Sequence, residues 1–385
     1  MDLATARWLT SDAAGPALTA AAAETDPGSL GAATRLRALV APDEAAAVLA
    51  QAALRRRAVG KLGERAAALF FTADGLEQAT RWSVAARRAA RFRALGADAV
   101  ADLGCGLGID AVALVEAGVR VLPVELDPVT AELAGANLGA PVEVGDVTEV
   151  WPRLAATEPG LGVFADPARR TGAGRSWRVE DLSPPWGFVE GLLSGALIAC
   201  VKLGPGVPHA LIPDGVEAEW VSDAGSVVEC ALWSGPGTVP GVRRAVVDGA
   251  ELTASGRRGG EVAAIGEYLY EPDGAVVRAG LVDEFAALVR ASRIADGIAY
   301  LTAPWDMPTP FATVFAVREV LPYDAKVLRA WVRDHGVGTL EIKKRGIDFD
   351  PAVLRKELKP KGRASATLVV TPTPAGARVL VCERV

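Results

Sequence analysis

The run Asp102-Leu103-Gly104-Cys105-Gly106-Leu107-Gly108 places three glycines at alternate positions. Glycine lacks a Cβ, so such a run lets the backbone turn tightly and approach a ligand with no side chain between them. The dinucleotide fingerprint is not completed, because Ile109 stands where its third glycine would fall. Carboxylates recur further along. Glu125 ends an apolar run and Asp127 follows two residues later. A carboxylate there can accept both hydroxyls of a ribose, which selects an adenosyl group without a 2′-phosphate. Glu125 is nearer the run's end, whereas Asp127, followed by Pro128, equally suits a helix cap. After the next run comes Gly145-Asp146. Asp146 can bond the exocyclic amine of an adenine with Val147 packed on the ring, or it can simply start a turn.

Asp166-Pro167-Ala168-Arg169-Arg170 carries the candidate reactive chemistry. Pro167 fixes the backbone and removes a donor. Asp166 can orient a substrate group or accept a proton leaving a nucleophilic nitrogen. Arg169 and Arg170 suit bidentate recognition of phosphate or carboxylate. The alternative is an Asp166 that braces its own loop beside solvated arginines. Lys202 either meets a phosphate or is a solvated lysine at a strand end. Ser183-Pro184-Pro185-Trp186-Gly187 reads as a proline-rich loop whose Trp186 is a candidate for contact with a base. His209 and His335 are the only histidines, and the four cysteines lack ligand spacing, so no metal site is expected.

These residues need a scaffold that brings strand ends together, and the texture from Ala97 supplies one. Short apolar runs (AVADL, VRVLPVEL, PVEVG, LGVFA, GALIACVKL) alternate with the helix-like IDAVALVEAG and DPVTAELAGANLG. Alternation of this kind predicts right-handed crossovers and a mainly parallel sheet, with ligands held beyond its carboxyl edge. The expected domains are a helical region 1–93, an α/β domain 94–235, a connecting segment 236–306 and a small α+β module 307–385. One helix is expected from Glu44 to Phe71. Another follows Thr80, with Arg87, Arg88 and Arg91 facing outward.

A chain of 385 residues with net charge −6 is not a polycation, so nucleic-acid binding would need a local basic surface. Residues 341–363 offer one: eight basic against four acidic residues, including Lys343, Lys344 and Arg345. An ordinary charged surface is the alternative. Scattered cysteines read as free thiols in a reducing cytoplasm, and neither a secretory leader nor a membrane span is read from the sequence.

The glycine run, acidic strand end, Gly-Asp and Asp-Pro, in this order, resemble a class I S-adenosylmethionine-dependent methyltransferase with a Rossmann-like sheet. The resemblance implies that Asp102, Gly104, Gly106 and Gly108 surround the methionine and ribose part of the cofactor. It gives the ribose hydroxyls to Glu125 and the adenine to Asp146 with Val147. Cys105, Leu126 and Thr80 complete the expected cofactor contacts. Where base amino-group methyltransferases carry an aromatic residue after Asp-Pro, this chain has Ala168 and Arg169. Nearly the whole chain from about residue 50 resembles a little-characterised bacterial group with a C-terminal THUMP-like domain, on GLEQATRWSVAARRAARF, DPARR, VKLGPG, GEYLYEPD and DPAVLRKELKPKG. THUMP domains bind tRNA or other structured RNA, so the implied function is methylation of a base in tRNA or rRNA. The implied RNA contacts are Lys202, Trp186, Lys343, Lys344 and Arg345. Alternatives are a methyltransferase acting on a protein or small molecule, and a non-catalytic RNA-binding protein with a vestigial cofactor fold.

Overall fold

The computed structural model of the protein describes residues 1–158, 160–169, 179–195, 197–257 and 260–385. It divides into two compact units, Met1–Glu217 with Cys230–Gly241, and Ala218–Glu229 with Val242–Val385.

The first unit opens with helices α1 (Leu3–Leu9), α2 (Gly15–Ala23), α3 (Leu30–Arg37), α4 (Pro42–Leu62), α5 (Ala73–Gln78) and α6 (Trp82–Ala94). The helix expected over 44–71 stops at Leu62. Gly63 takes φ 62°, a 3₁₀ turn follows at Gly63–Ala67, and the chain is extended before α5. A second correction concerns α6. Val84, Arg88 and Phe92 share a face at i, i+4 spacing, and all three are buried. Arg88 therefore points inward, where Asp110 neutralises it and its guanidinium lies 4.6 Å over the Phe164 ring.

The α/β part follows as β1 (Ala99–Leu103), α7 (Ile109–Glu116), β2 (Arg120–Glu125), α8 (Pro128–Leu138), β3 (Glu143–Val144), α9 (Val147–Thr157) and β4 (Gly162–Ala165). Then come the short β5 (Ala168–Arg169) and β6 (Leu182–Ser183), α10 (Trp186–Leu193) and β7 (Ala199–Leu203). The sheet order is β3-β2-β1-β4-β7, all parallel, as the alternation predicts. Residues 230–234 pair antiparallel with β7. Apolar residues of α6, α7 and the sheet form one core, with Phe92 tilted against Trp233 at 4.9 Å.

In the second unit β8 (Glu217–Asp223) and β9 (Ser226–Ser234) contribute residues 218–229. They are followed by β10 (Arg243–Val247), β11 (Ala250–Thr253), β12 (Tyr268–Pro272), α11 (Gly274–Arg278), α12 (Val282–Val289), β13 (Ser292–Arg293) and β14 (Leu301–Ala303). The chain closes with β15 (Ala312–Pro322), α13 (Ala325–Asp334), β16 (Val337–Lys344), α14 (Pro351–Leu358), β17 (Ala364–Thr373) and β18 (Gly376–Arg384). Seven strands form a sheet in the order β13-β14-β12-β15-β18-β17-β16, and only β16 and β17 pair in parallel, across α14. Leu328, Val332, Leu354 and Leu358 of α13 and α14 pack on Leu368 and Val370. Much of the segment 236–306, read from sequence as a connection, thus supplies strands and helices to this unit. No helix among the described residues is long and apolar enough to cross a membrane.

Candidate functional site

Strand register decides where the polar residues meet. Leu103 of β1 lies level with Val124 of β2 and Ala165 of β4, Glu125 with Val144, and Ala165 with Val201. The residues that follow each strand therefore emerge along one edge. A cavity of about 780 Å³ opens there, within the usual range for a small-molecule site. Its wall includes Gly104, Gly106, Glu125, Asp146, Asp166 and Thr80.

The glycine run turns over β2, its Gly104 and Cys105 amides both donating to the Val124 carbonyl at 2.9 and 3.0 Å. Gly104 and Gly106 have φ of 83° and 55°, a region that side chains disfavour, and a Cβ built on either would meet only open space. The Glu125 carboxylate closes the turn. Its Oε2 accepts from the Gly106 amide at 2.9 Å and its Oε1 from the Asp127 amide at 3.0 Å. Each oxygen keeps acceptor capacity, as two ribose hydroxyls would require. Asp127 does something else. It caps α8, accepting from the Thr130 amide and hydroxyl at 2.9 and 2.6 Å, and the hydroxyl bond holds its carboxyl below the usual range. Both carboxylates line the cavity, and the helix cap that sequence offered for Asp127 is formed.

Asp146 caps α9 through one oxygen, which accepts from the Thr148 amide and hydroxyl at 2.8 and 2.7 Å. Val147 and the exposed Leu126 share the cavity wall with it. The donor set fits an adenosyl cofactor: a carboxylate beside the glycine turn, an apolar pair with an acid beyond it, and open space over the turn.

Asp102 is 1% exposed, and neither of its carboxylate oxygens has a hydrogen-bond partner among the described residues. Burial, reinforced by Asp110 and Asp166, pushes its carboxyl well above the usual 3.8. Such a group favours folding fully below pH 3.8, and its contribution is lost as pH rises through the raised value of the folded state. Asp102→Asn, which cannot ionise, is expected to match the wild type in denaturation midpoint at pH 3.5 and to exceed it at pH 8. Equal midpoints at both pH values would show that Asp102 is not held protonated in the fold. Cys105 is buried beside it, and burial likewise raises its thiol.

At the end of β4, Asp166 joins a chain of polar side chains. Its Oδ2 accepts from the Lys202 ammonium, which also donates to Thr80 Oγ at 3.2 Å. Thr80 in turn donates to Asp110 Oδ2 at 2.7 Å, and Arg88 bonds the other Asp110 oxygen. Arg81 stands between Thr80 and the first turn of α6. Lys202 is neither solvated nor reaching outward, because β7 lies beside β4 and Asp166 is its partner. Sequence reading missed Asp110 and turned Arg88 outward, since an acid in a helix's first turn and an arginine among several on one helix carry no distinguishing signal.

Pro167 is buried, and Ala168–Arg169 pairs with Leu182–Ser183. Arg170 and the side chain of Arg169 lie outside the described residues, as does 171–178. The proline-rich loop is corrected in part: a short strand precedes it, and a helix begins at Trp186. Ser183, Pro184 and Pro185 line the cavity, whereas Trp186 is absent from its wall.

In the second unit, the cations singled out from sequence are engaged within the fold. Lys343 bonds Glu271 at 2.7 Å, Lys344 bonds the Phe349 carbonyl, and Arg345 lies 5.0 Å over the Tyr300 ring. Alternation along β16 turns Lys343 toward Glu271 between the buried Ile342 and the exposed Lys344. Lys356, Lys359, Lys361 and Arg363, at the end of α14 and beyond, are exposed and form no ion pair among the described residues.

Residues 312–384 match a family model described as THUMP domain-like, and residues 2–58 match a domain of unknown function (DUF8688). Two relatives from Mycobacterium tuberculosis, strains CDC 1551 / Oshkosh and ATCC 25618 / H37Rv, are called uncharacterized S-adenosylmethionine-dependent methyltransferases. Each is 34% identical over 339 residues, covering 84% of this chain and 91% of the relative. A crystal structure from Porphyromonas gingivalis W83, assigned as a methyltransferase, shares the fold at a TM-score of 0.74 and 22% identity, over 90% of this chain and 91% of that one.

Proposed function

The chain belongs to the S-adenosylmethionine-dependent methyltransferases, and from that premise we propose that it methylates a base nitrogen in structured RNA, tRNA or rRNA. The observation that carries the substrate class is the THUMP-like module with its exposed cations Lys356, Lys359, Lys361 and Arg363. Fixed positive charge of this kind neutralises phosphates and positions a nucleic acid without reading its bases.

Glu125 would hold the cofactor's ribose, Asp146 and Val147 its adenine, and the glycine turn its amino-acid part. The bound cofactor supplies an electrophilic methyl group on a sulfonium. Everything else falls to the chain's own residues. Lys202 occupies Asp166 Oδ2, which leaves Oδ1 to accept a hydrogen bond from a substrate N–H and to take its proton as the nitrogen attacks. Thr80 and Asp110 hold Lys202 in place, so the contribution is mainly positioning and a prearranged polar wall.

Mass spectrometry of nucleosides in tRNA and rRNA, from cells with and without the gene, tests the reading. One methylated base disappears if it is right, and identical profiles overturn it. Lys359→Glu with Lys361→Glu is expected to weaken tRNA binding by about tenfold or more and to flatten the log–log salt slope by roughly 2. An unchanged slope would remove these lysines from the RNA surface.

A further inference from the structure

We propose that the helical region preceding α5 is a working part of the cofactor site, and that Gln51 and Asn137 are positioning residues holding the strap 69–80 against the glycine turn. The inference rests on the cofactor occupying the cavity described above.

Ahead of α5 the strap runs outside any helix, and no strand among the described residues pairs with it. Two side-chain carboxamides take the place of neighbouring strands. Asn137 of α8 accepts from the Phe70 amide at 2.7 Å and donates to the Phe70 carbonyl at 3.0 Å. Gln51 of α4 accepts from the Phe71 amide at 2.9 Å and donates to the Phe71 carbonyl at 2.6 Å. In an extended chain the N–H and C=O of successive residues point to opposite sides, so the two amides grip the strap from either flank. Arg55 adds a bond to the Leu69 carbonyl at 2.9 Å.

Asn137 does more than hold the strap. Its amide nitrogen also donates to the Leu107 carbonyl at 2.9 Å, inside the glycine run. One carboxamide thus ties the strap to the turn that would face the cofactor. Gly75 confirms the close approach: a Cβ there would fall 2.7 Å from the Leu107 side chain. Beyond it Lys61 of α4 donates to the carbonyls of Leu76, Glu77 and Ala79 at 2.8, 2.5 and 3.3 Å, closing the end of α5. The residues fixed in this way, among them Thr72, Gly75, Gln78 and Thr80, line the cavity. Most of the contacts originate in α4, much of which lies in the stretch matched as a domain of unknown function. On this geometry that stretch, through Gln51 and Arg55, holds the strap that forms one wall of the cofactor pocket.

The experiment uses the full-length protein and calorimetric titration with S-adenosylmethionine, together with hydrogen exchange at residues 70–80. Asn137→Ala is expected to raise the dissociation constant about tenfold or more. The KM for cofactor should rise by the same factor, with the loss in KM and not in kcat, and exchange at the Phe70 amide, which Asn137 accepts from, should quicken. Lys61→Met, which removes the ammonium and keeps the stem, is a second variant should the first fail to fold. It is expected to weaken cofactor binding in the same sense. Variants that bind cofactor within twofold of the wild type, while exchange of the strap quickens, would overturn the proposal. A wild-type protein that gives no heat with S-adenosylmethionine would instead overturn the cofactor reading on which the proposal stands.

Discussion

Asp166→Asn is expected to lower kcat for methyl transfer into RNA from a strain lacking the gene by roughly 10²–10⁴-fold, the range for loss of a positioned acid–base group. The substitution keeps the side chain's shape but removes its charge, so the ion pair with Lys202 is lost and, on the proposed reading, so is the proton acceptor for the substrate nitrogen. Lys202→Ala attacks the same unit from the other side. The carboxylate survives, but nothing fixes which oxygen faces the cavity, and Thr80 loses a bond partner. If the pair works as a unit, the double variant is no slower than the slower single variant, the non-additivity expected of coupled groups. The measurement is single-turnover incorporation of labelled methyl at saturating cofactor. Asp166→Asn turning over within threefold of the wild type would remove this carboxylate from the reaction, and strictly additive losses would dissolve the pair.

This chemistry could be read only partly from the chain. The alternation of short apolar runs with longer helical ones gave the parallel sheet, because strands buried on both faces, such as β4, read as short continuous apolar runs set off by their length and flanking glycines. It also placed Glu125, Asp146 and Asp166 at strand ends, so the carboxylates gather where register brings those ends level. Partners across the fold were not legible. Lys202 looked equally like a phosphate contact, since nothing local says that β7 lies against β4. Arg88 looked solvated because its Asp110 partner is 22 positions away. Lys343 belonged to a run of cations that seemed uniform, yet strand alternation hands it to Glu271, 72 positions earlier. The carboxamides of Gln51 and Asn137 gave no signal, because a buried amide that stands in for a strand has no sequence pattern of its own. What the sequence encodes locally is propensity and period, whereas ion pairs and amide clamps depend on which elements become neighbours.

Glu125→Ala is the most severe change expected for cofactor affinity. The carboxylate serves two structures together, accepting from Gly106 and Asp127 amides and keeping acceptor capacity toward the cavity. On the proposed reading its removal deletes two charge-assisted bonds to the ribose, each worth about 1.5–3 kcal/mol, and it releases the Gly106 amide from β2. Weakening by roughly 10²–10³-fold or more follows at about 1.4 kcal/mol per decade. S-adenosylmethionine and S-adenosylhomocysteine should suffer alike, because they share the sugar and differ only at sulfur. Glu125→Gln should fare little better. An amide has one acceptor oxygen, so either orientation sets its NH₂ group against the Gly106 or the Asp127 N–H. Equal loss for both ligands, with the glutamine variant close to the alanine variant, assigns the carboxylate to the sugar and the turn together. Unequal loss, confined to the charged cofactor, would mean that Glu125 acts on the sulfonium's charge and not on the ribose, and the division of labour between the strand ends would have to be redrawn.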